Sequence, residues 1–180
     1  MVRIWVMKHR WDYIMENLER RSCFFVGDTE LPAYRINAIR QQMKEVLEQF
    51  TRRGILDFLI SGESGFEMLA AEEVIRFRMR VPELKIKLIY LPPTQEEYAK
   101  RSTQDQQKLD AIRWTADQVV DYATYPALRN PVTRKQVMAD RSAACVTYFA
   151  HTRDCSSDII QYAQQRNVYV SYLAKSPSKD

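Results

Sequence analysis

A chain of 180 residues, 46% hydrophobic and 28% charged, can bury one sizeable core, and no apolar run approaches the roughly 18–20 residues of a bilayer span, so a soluble protein is expected. The net charge of +4 is the small excess of 27 basic over 23 acidic residues. The basic clusters are short, Arg20-Arg21, Arg52-Arg53 and Arg134-Lys135, so a solvated surface is expected rather than a nucleic-acid partner. Cys23, Cys145 and Cys155 are an odd set at wide spacing that fits neither a disulfide framework nor a zinc site; with no secretory h-region at the start, they point to a reducing cytoplasm.

Residues 1–21 stand apart as an N-terminal extension. A helix over "RWDYIMENLERR" would place Trp11, Ile14, Met15 and Leu18 on one face, to pack on the rest of the chain or on a second copy as a homo-oligomer. After it, short apolar runs alternate with helical stretches, which predicts an α/β domain with a mostly parallel sheet. "SCFFVG" (22–27) reads as the first strand. In the helix that follows, Ile36, Ile39, Met43, Val46, Leu47 and Phe50 recur at spacings that line one face, and Gly54 supplies the stop. "LDFLIS" (56–61) is the second strand, with a helix from Gly65 to Arg80 ended by Pro82. "LKIKLIYL" (84–91) is the third, closed by Pro92 and Pro93.

The stretch 94–116 is polar and helical, marked by Tyr98, Leu109, Ile112 and Trp114. A fourth strand is expected at 117–123, a helix at 132–141, a fifth strand at 143–150, a helix at 158–166 and a sixth strand at 167–174. The tail 175–180 is expected to be disordered.

In an open α/β sheet, ligands bind beyond the carboxyl ends of the strands. Four loops meet there: 27–32, 61–66, 125–131 and 151–157. In the second, "SGESGF", Gly62 and Gly65 allow a tight strand-to-helix turn whose backbone amides could hold an anion such as phosphate; a compact turn with no ligand would use the same glycines.

The stretch "LISGESGFEMLAAEEV" resembles the strand-turn-helix signature of the YpsA-like family in the SLOG superfamily. That pattern runs from an apolar strand through Ser-Gly, two variable residues, Gly, a variable residue and an acidic residue to Ala-Ala-Glu. Ser61, Gly62, Gly65, Glu67, Ala70, Ala71 and Glu72 occupy those places. A second match lies in "RKQVMADRS", where Arg134, Met138, Asp140 and Ser142 fit the family spacing. The chain departs from the family at "VGDTELP", which keeps Gly27 but has no His-Arg pair, and at "RDCSSD", where a Gly-Gly-Thr turn is usual. Lys135 and Ala143 replace a usual Asn and Asp.

The resemblance implies a Rossmann-like three-layer sandwich over 22–174 that binds a nucleotide or nucleotide-derived small molecule as a sensor or regulatory protein. Its ligand-binding residues would be Gly27, Ser61, Gly62, Gly65, Glu67, Arg134 and Asp140, with the amides of 62–66 on one phosphate, Glu67 on the ribose and Arg134 on a second phosphate charge. The altered turns also admit an interaction module with a decayed pocket. A third reading is an N-glycosidic hydrolase of nucleoside phosphates or ADP-ribose, with Glu72 as the candidate acid/base. The Pro-Gly-Gly-x-Gly-Thr-x-x-Glu motif of the LOG relatives is absent.

Read as residues alone, Glu67 caps a helix start favoured by the dipole, Glu72 is solvated, and Arg134 and Lys135 are either phosphate partners or surface charge. His151 and Cys155 share a loop, but nothing completes a catalytic triad with them. Asp28 and Glu30 could meet Mg²⁺ on a phosphate or simply polarise a turn. With His9 and His151 as the only histidines, no metal site is expected.

Overall fold

The computed structural model describes residues 21–150 and 158–173. Residues 1–20 of the N-terminal extension (1–21), the stretch 151–157 with His151 and Cys155, and residue 174 with the tail (175–180) lie outside the described residues. The strands are β1 Ser22–Gly27, β2 Asp57–Ile60, β3 Lys87–Tyr90, β4 Gln118–Val119, β5 Ser142–Tyr148 and β6 Tyr169–Tyr172. They form one sheet in the order β4-β3-β2-β1-β5-β6, and every pairing is parallel. The helices are α1 Ile36–Arg52, α2 Gly65–Arg80, α3 Gln95–Ala99, α4 Thr103–Thr115, α5 Pro131–Asp140 and α6 Asp158–Gln165. No helix among the described residues is long and apolar enough to cross a membrane.

The strand patterns follow from burial on both faces. In β1, Phe25 joins the core shared with α1, α2 and α4, while Phe24 and Val26 join the one beneath α5 and α6. Successive strand side chains point to opposite faces, so a central strand must be apolar throughout, as "CFFV" is. Every residue of β5 is buried. Helix α1 buries Ile39, Met43, Leu47 and Phe50 on one stripe, each such side chain stabilising the fold by about 1.5–3 kcal/mol. Helix α2, wedged among the sheet, α1 and α4, buries nine of its residues.

Several expected elements differ in extent, and for three of them the local cause is visible. β3 starts at Lys87 because Pro82–Leu84 forms a 3-10 turn and Lys85 takes a left-handed conformation (φ 54°). β4 keeps two residues: after Val119 the Asp121 carboxylate accepts from the Ala123 amide (2.9 Å) and its carbonyl from Tyr125 N (3.0 Å), which turns the chain. The stretch 94–116 breaks into α3 and α4 because Thr94 and Ser102 each cap a helix of their own.

From β1 the chain steps outward through β2 and β3 to β4, then returns to lay β5 on the other side of β1. The strand order therefore reverses between β1 and β5, and a cleft opens there beyond the carboxyl ends of the strands.

Candidate functional site

The cleft has a volume of about 730 Å³ and is walled by the loop after β1, the start of α2 and the facing sides of α5 and α6, with Gly27, Glu63, Lys135 and Tyr162 among its lining residues. Two glycines owe their identity to close packing here. A Cβ on Gly27 would fall 2.5 Å from the Phe66 ring and 2.6 Å from the Tyr148 carbonyl oxygen, and one on Gly65 would fall 2.5 Å from the Thr29 carbonyl oxygen. Gly62 needs glycine for a different reason, its φ of +68°.

The start of α2 is tied off from within. Gly65 N donates to Thr29 O (2.9 Å) and Phe66 N to Asp28 O (3.2 Å). Ser64 and Glu67 form a capping box, and the Glu63 and Ser64 amides donate to Glu67 Oε2 at 3.0 and 3.2 Å. Of the amides of 62–66, expected to hold a phosphate, those of 63–66 have partners in the chain itself.

Glu67 is 1% exposed, and its other oxygen, Oε1, accepts from Ser61 Oγ at 2.8 Å and from Lys135 Nζ. Both carboxylate oxygens, expected to meet a ribose, thus have partners within the chain. Arg134, expected on a phosphate, is likewise engaged within the chain. Its side chain is 0% exposed. Nε donates to Glu63 Oε1 (3.0 Å), Nη2 to Glu97 Oε1 (2.9 Å), and Nη1 to Glu97 Oε2 (3.2 Å) and the Pro92 and Leu128 carbonyls (both 3.3 Å). All three guanidinium nitrogens therefore have acceptors within the chain.

Two of the charged groups that line the cleft, beside the exposed Asp158, stand on α5 and just before α2. The first is Lys135, 12% exposed, on Glu67 and 3.9 Å from Glu63 Oε2. The second is Glu63, whose Oε2 accepts no hydrogen bond among the described residues. Burial pushes the Glu63 carboxyl above its usual range, with Lys135 and Arg134 pulling it down and Glu67 adding to the rise. Sequence reasoning passed over Glu63; its one signal is its place between the two glycines of "SGESG".

Two further expected residues stand elsewhere. Asp140 ends α5, where its carboxylate accepts from Tyr162 (2.9 Å) and Arg166 (2.7 Å) outside the cleft. Glu72 pairs with Arg40 at 2.8 Å, bridging α2 to α1, so the candidate acid/base is not at the cleft. Asp28 Oδ2 accepts from the Ala150 amide (2.6 Å), clipping the loop after β1 to the end of β5, and Glu30 is exposed.

Compared with known proteins, the chain matches the model described as the YspA SLOG family over residues 29–174. It is also similar to a "UPF0398 protein" of Brevibacillus brevis, 37% identical over 67 residues, which cover 37% of this chain and 36% of that protein. The match thus spans about a third of the length of that curated relative.

Proposed function

Since the chain belongs to the YpsA (YspA SLOG) family, we propose that it binds a nucleotide-derived small molecule in the cleft between β1 and β5. The observation that carries this reading is that the Glu63 carboxylate and the Lys135 ammonium both line the cleft, at the point where strand order reverses. A carboxylate oxygen without a protein donor suits a ribose hydroxyl, and an ammonium suits a phosphate. The volume of about 730 Å³ is in the range of small-molecule sites.

In this reading most of the residues expected at the site become positioning residues. Arg134 holds Glu63, Ser61 and Glu67 hold Lys135, and Gly27 and Gly65 let the walls close; Asp140 takes no part. The rival reading, an interaction module with a decayed pocket, is favoured by the internally filled start of α2. The hydrolase reading has lost its proposed catalyst, because Glu72 lies between α1 and α2.

A thermal-shift screen with nucleoside monophosphates, NAD, ADP-ribose and cyclic dinucleotides separates these readings. A ligand at a hundred times its Kd adds about 2.7 kcal/mol, which for a domain of this size raises Tm by about 5 °C or more. Val132 lines the cleft and is 65% exposed, so Val132→Trp fills the cleft without disturbing the core. A shift in the parent that vanishes in Val132→Trp is expected. No shift with any ligand would sink the reading and leave the interaction module.

A further inference from the structure

A second opening on the same edge of the sheet is built differently. It lies beyond β3, has a volume of about 290 Å³, and is lined by Tyr90, Pro92, Pro93, Tyr98, Leu109 and Arg113, with Asp110 and Gln95 at its margin. Its main polar feature is the Tyr90 hydroxyl. Tyr90 is 2% exposed, yet its hydroxyl makes no hydrogen bond with any described residue, although it borders the opening. A phenol whose ring is buried ordinarily finds a partner for its O–H, and here the opening is where solvent or a ligand can supply it.

The surroundings keep this pocket open. Gly62 (φ +68°) leaves space beside the Tyr90 ring, since a Cβ there would lie 2.5 Å from Leu109 Cδ2 and 3.6 Å from the ring. Across the pocket, the Tyr98 hydroxyl donates to Asp110 (3.0 Å to both oxygens), and Gln106 Nε2 donates to the carbonyls of Tyr98 (3.1 Å) and Arg101 (3.3 Å). These bonds brace the corner between α3 and α4.

We propose that this pocket is a second small-molecule site, for a neutral planar ring with an amide edge. Proline and tyrosine walls favour a flat apolar face. Tyr90 offers a donor with no partner among the described residues, and Arg113, 52% exposed, has among them one 3.4 Å contact, with Asp121. Asp110 supplies an acceptor a short distance along α4. A carbonyl meets the donors and an adjacent N–H meets Asp110; one cation and one anion at the rim select against a charged ring. Burial pushes the Tyr90 phenol well above its usual range, so it stays a neutral donor across physiological pH. The site does not depend on the cleft between β1 and β5.

The test is two-dimensional NMR of the isotopically labelled full chain titrated with nicotinamide and uracil as amide-edged rings and benzoate as the anionic counterpart. Saturable shifts centred on residues 90–113 are expected for the amides, with benzoate at least 3-fold weaker. Tyr90→Phe keeps the ring and removes only the hydroxyl, so it should fold and bind about 3- to 10-fold more weakly. If Tyr90→Phe does not fold, Arg113→Gln at the exposed rim serves the same purpose and should also weaken binding. Shifts confined to residues around Gly27 and Lys135, equal binding of benzoate, undiminished binding by the variants, or no saturable shift would each overturn the proposal.

Discussion

Arg134 and Arg113 lie near two openings on the same edge of the sheet and would look alike in a survey of charge. Arg134 is wholly buried, its guanidinium divided among Glu63, Glu97 and two carbonyls. Arg113 is half exposed with one long contact. The difference shows that the presence of a cation near a cleft says little about its availability to a ligand. The number of internal partners decides that, and here it assigns Arg134 to the framework.

Breaking this comparison is simplest at its buried end. Arg134→Ala leaves the Glu63 and Glu97 carboxylates without their cation and should cost about 3–5 kcal/mol in urea denaturation. Arg113→Ala should stay within about 0.5 kcal/mol of the parent. Equal effects would erase the contrast. Next in size is Gly65→Ala, which drives a methyl against the Thr29 carbonyl oxygen, 2.5 Å away, and should cost about 1–3 kcal/mol; a neutral result would mean that the loop after β1 yields freely.

The smallest effect sharpens the role of Glu63. Its carboxyl is raised in the folded chain, so between the usual carboxylate range and the raised value the folded state binds more protons than the unfolded one. Stability therefore falls as pH rises through that window and levels off above it. Glu63→Gln keeps an acceptor for Arg134 and removes this titration. Its stability relative to the parent should thus be greater at pH 7 than at pH 4, as read from paired thermal melts; a pH-independent difference would show that burial does not govern Glu63.

The sheet was legible because its central strands obey one rule along their length. β1 and β5 are buried on both faces and read as largely apolar runs, and the stripe of α1 repeats at helical spacing. The family match was also legible, carried by "SGESGFEMLAAEE". What could not be read was partnership. Arg134 is separated by 71 residues from Glu63 and by 37 from Glu97, so neither spacing nor composition announces that its charge is spent inside. Likewise, nothing local to Asp140 or Glu72 tells that their ion partners, Arg166 and Arg40, hold them away from the cleft. The short β4 and the break between α3 and α4 were missed because single capping side chains, Asp121 and Ser102, set those boundaries.

The start of α2 is held by the carbonyl oxygens of Asp28 and Thr29, groups that every amino acid carries. This attachment is blind to side-chain identity. The loop after β1 can therefore exchange the family's His-Arg pair for Asp28 and Thr29 and still seat the helix, while a change in its length would shift both oxygens out of reach. Substitution and insertion are thus unequal experiments at these two contacts: a change of side chain keeps both carbonyl oxygens, and a change in loop length does not.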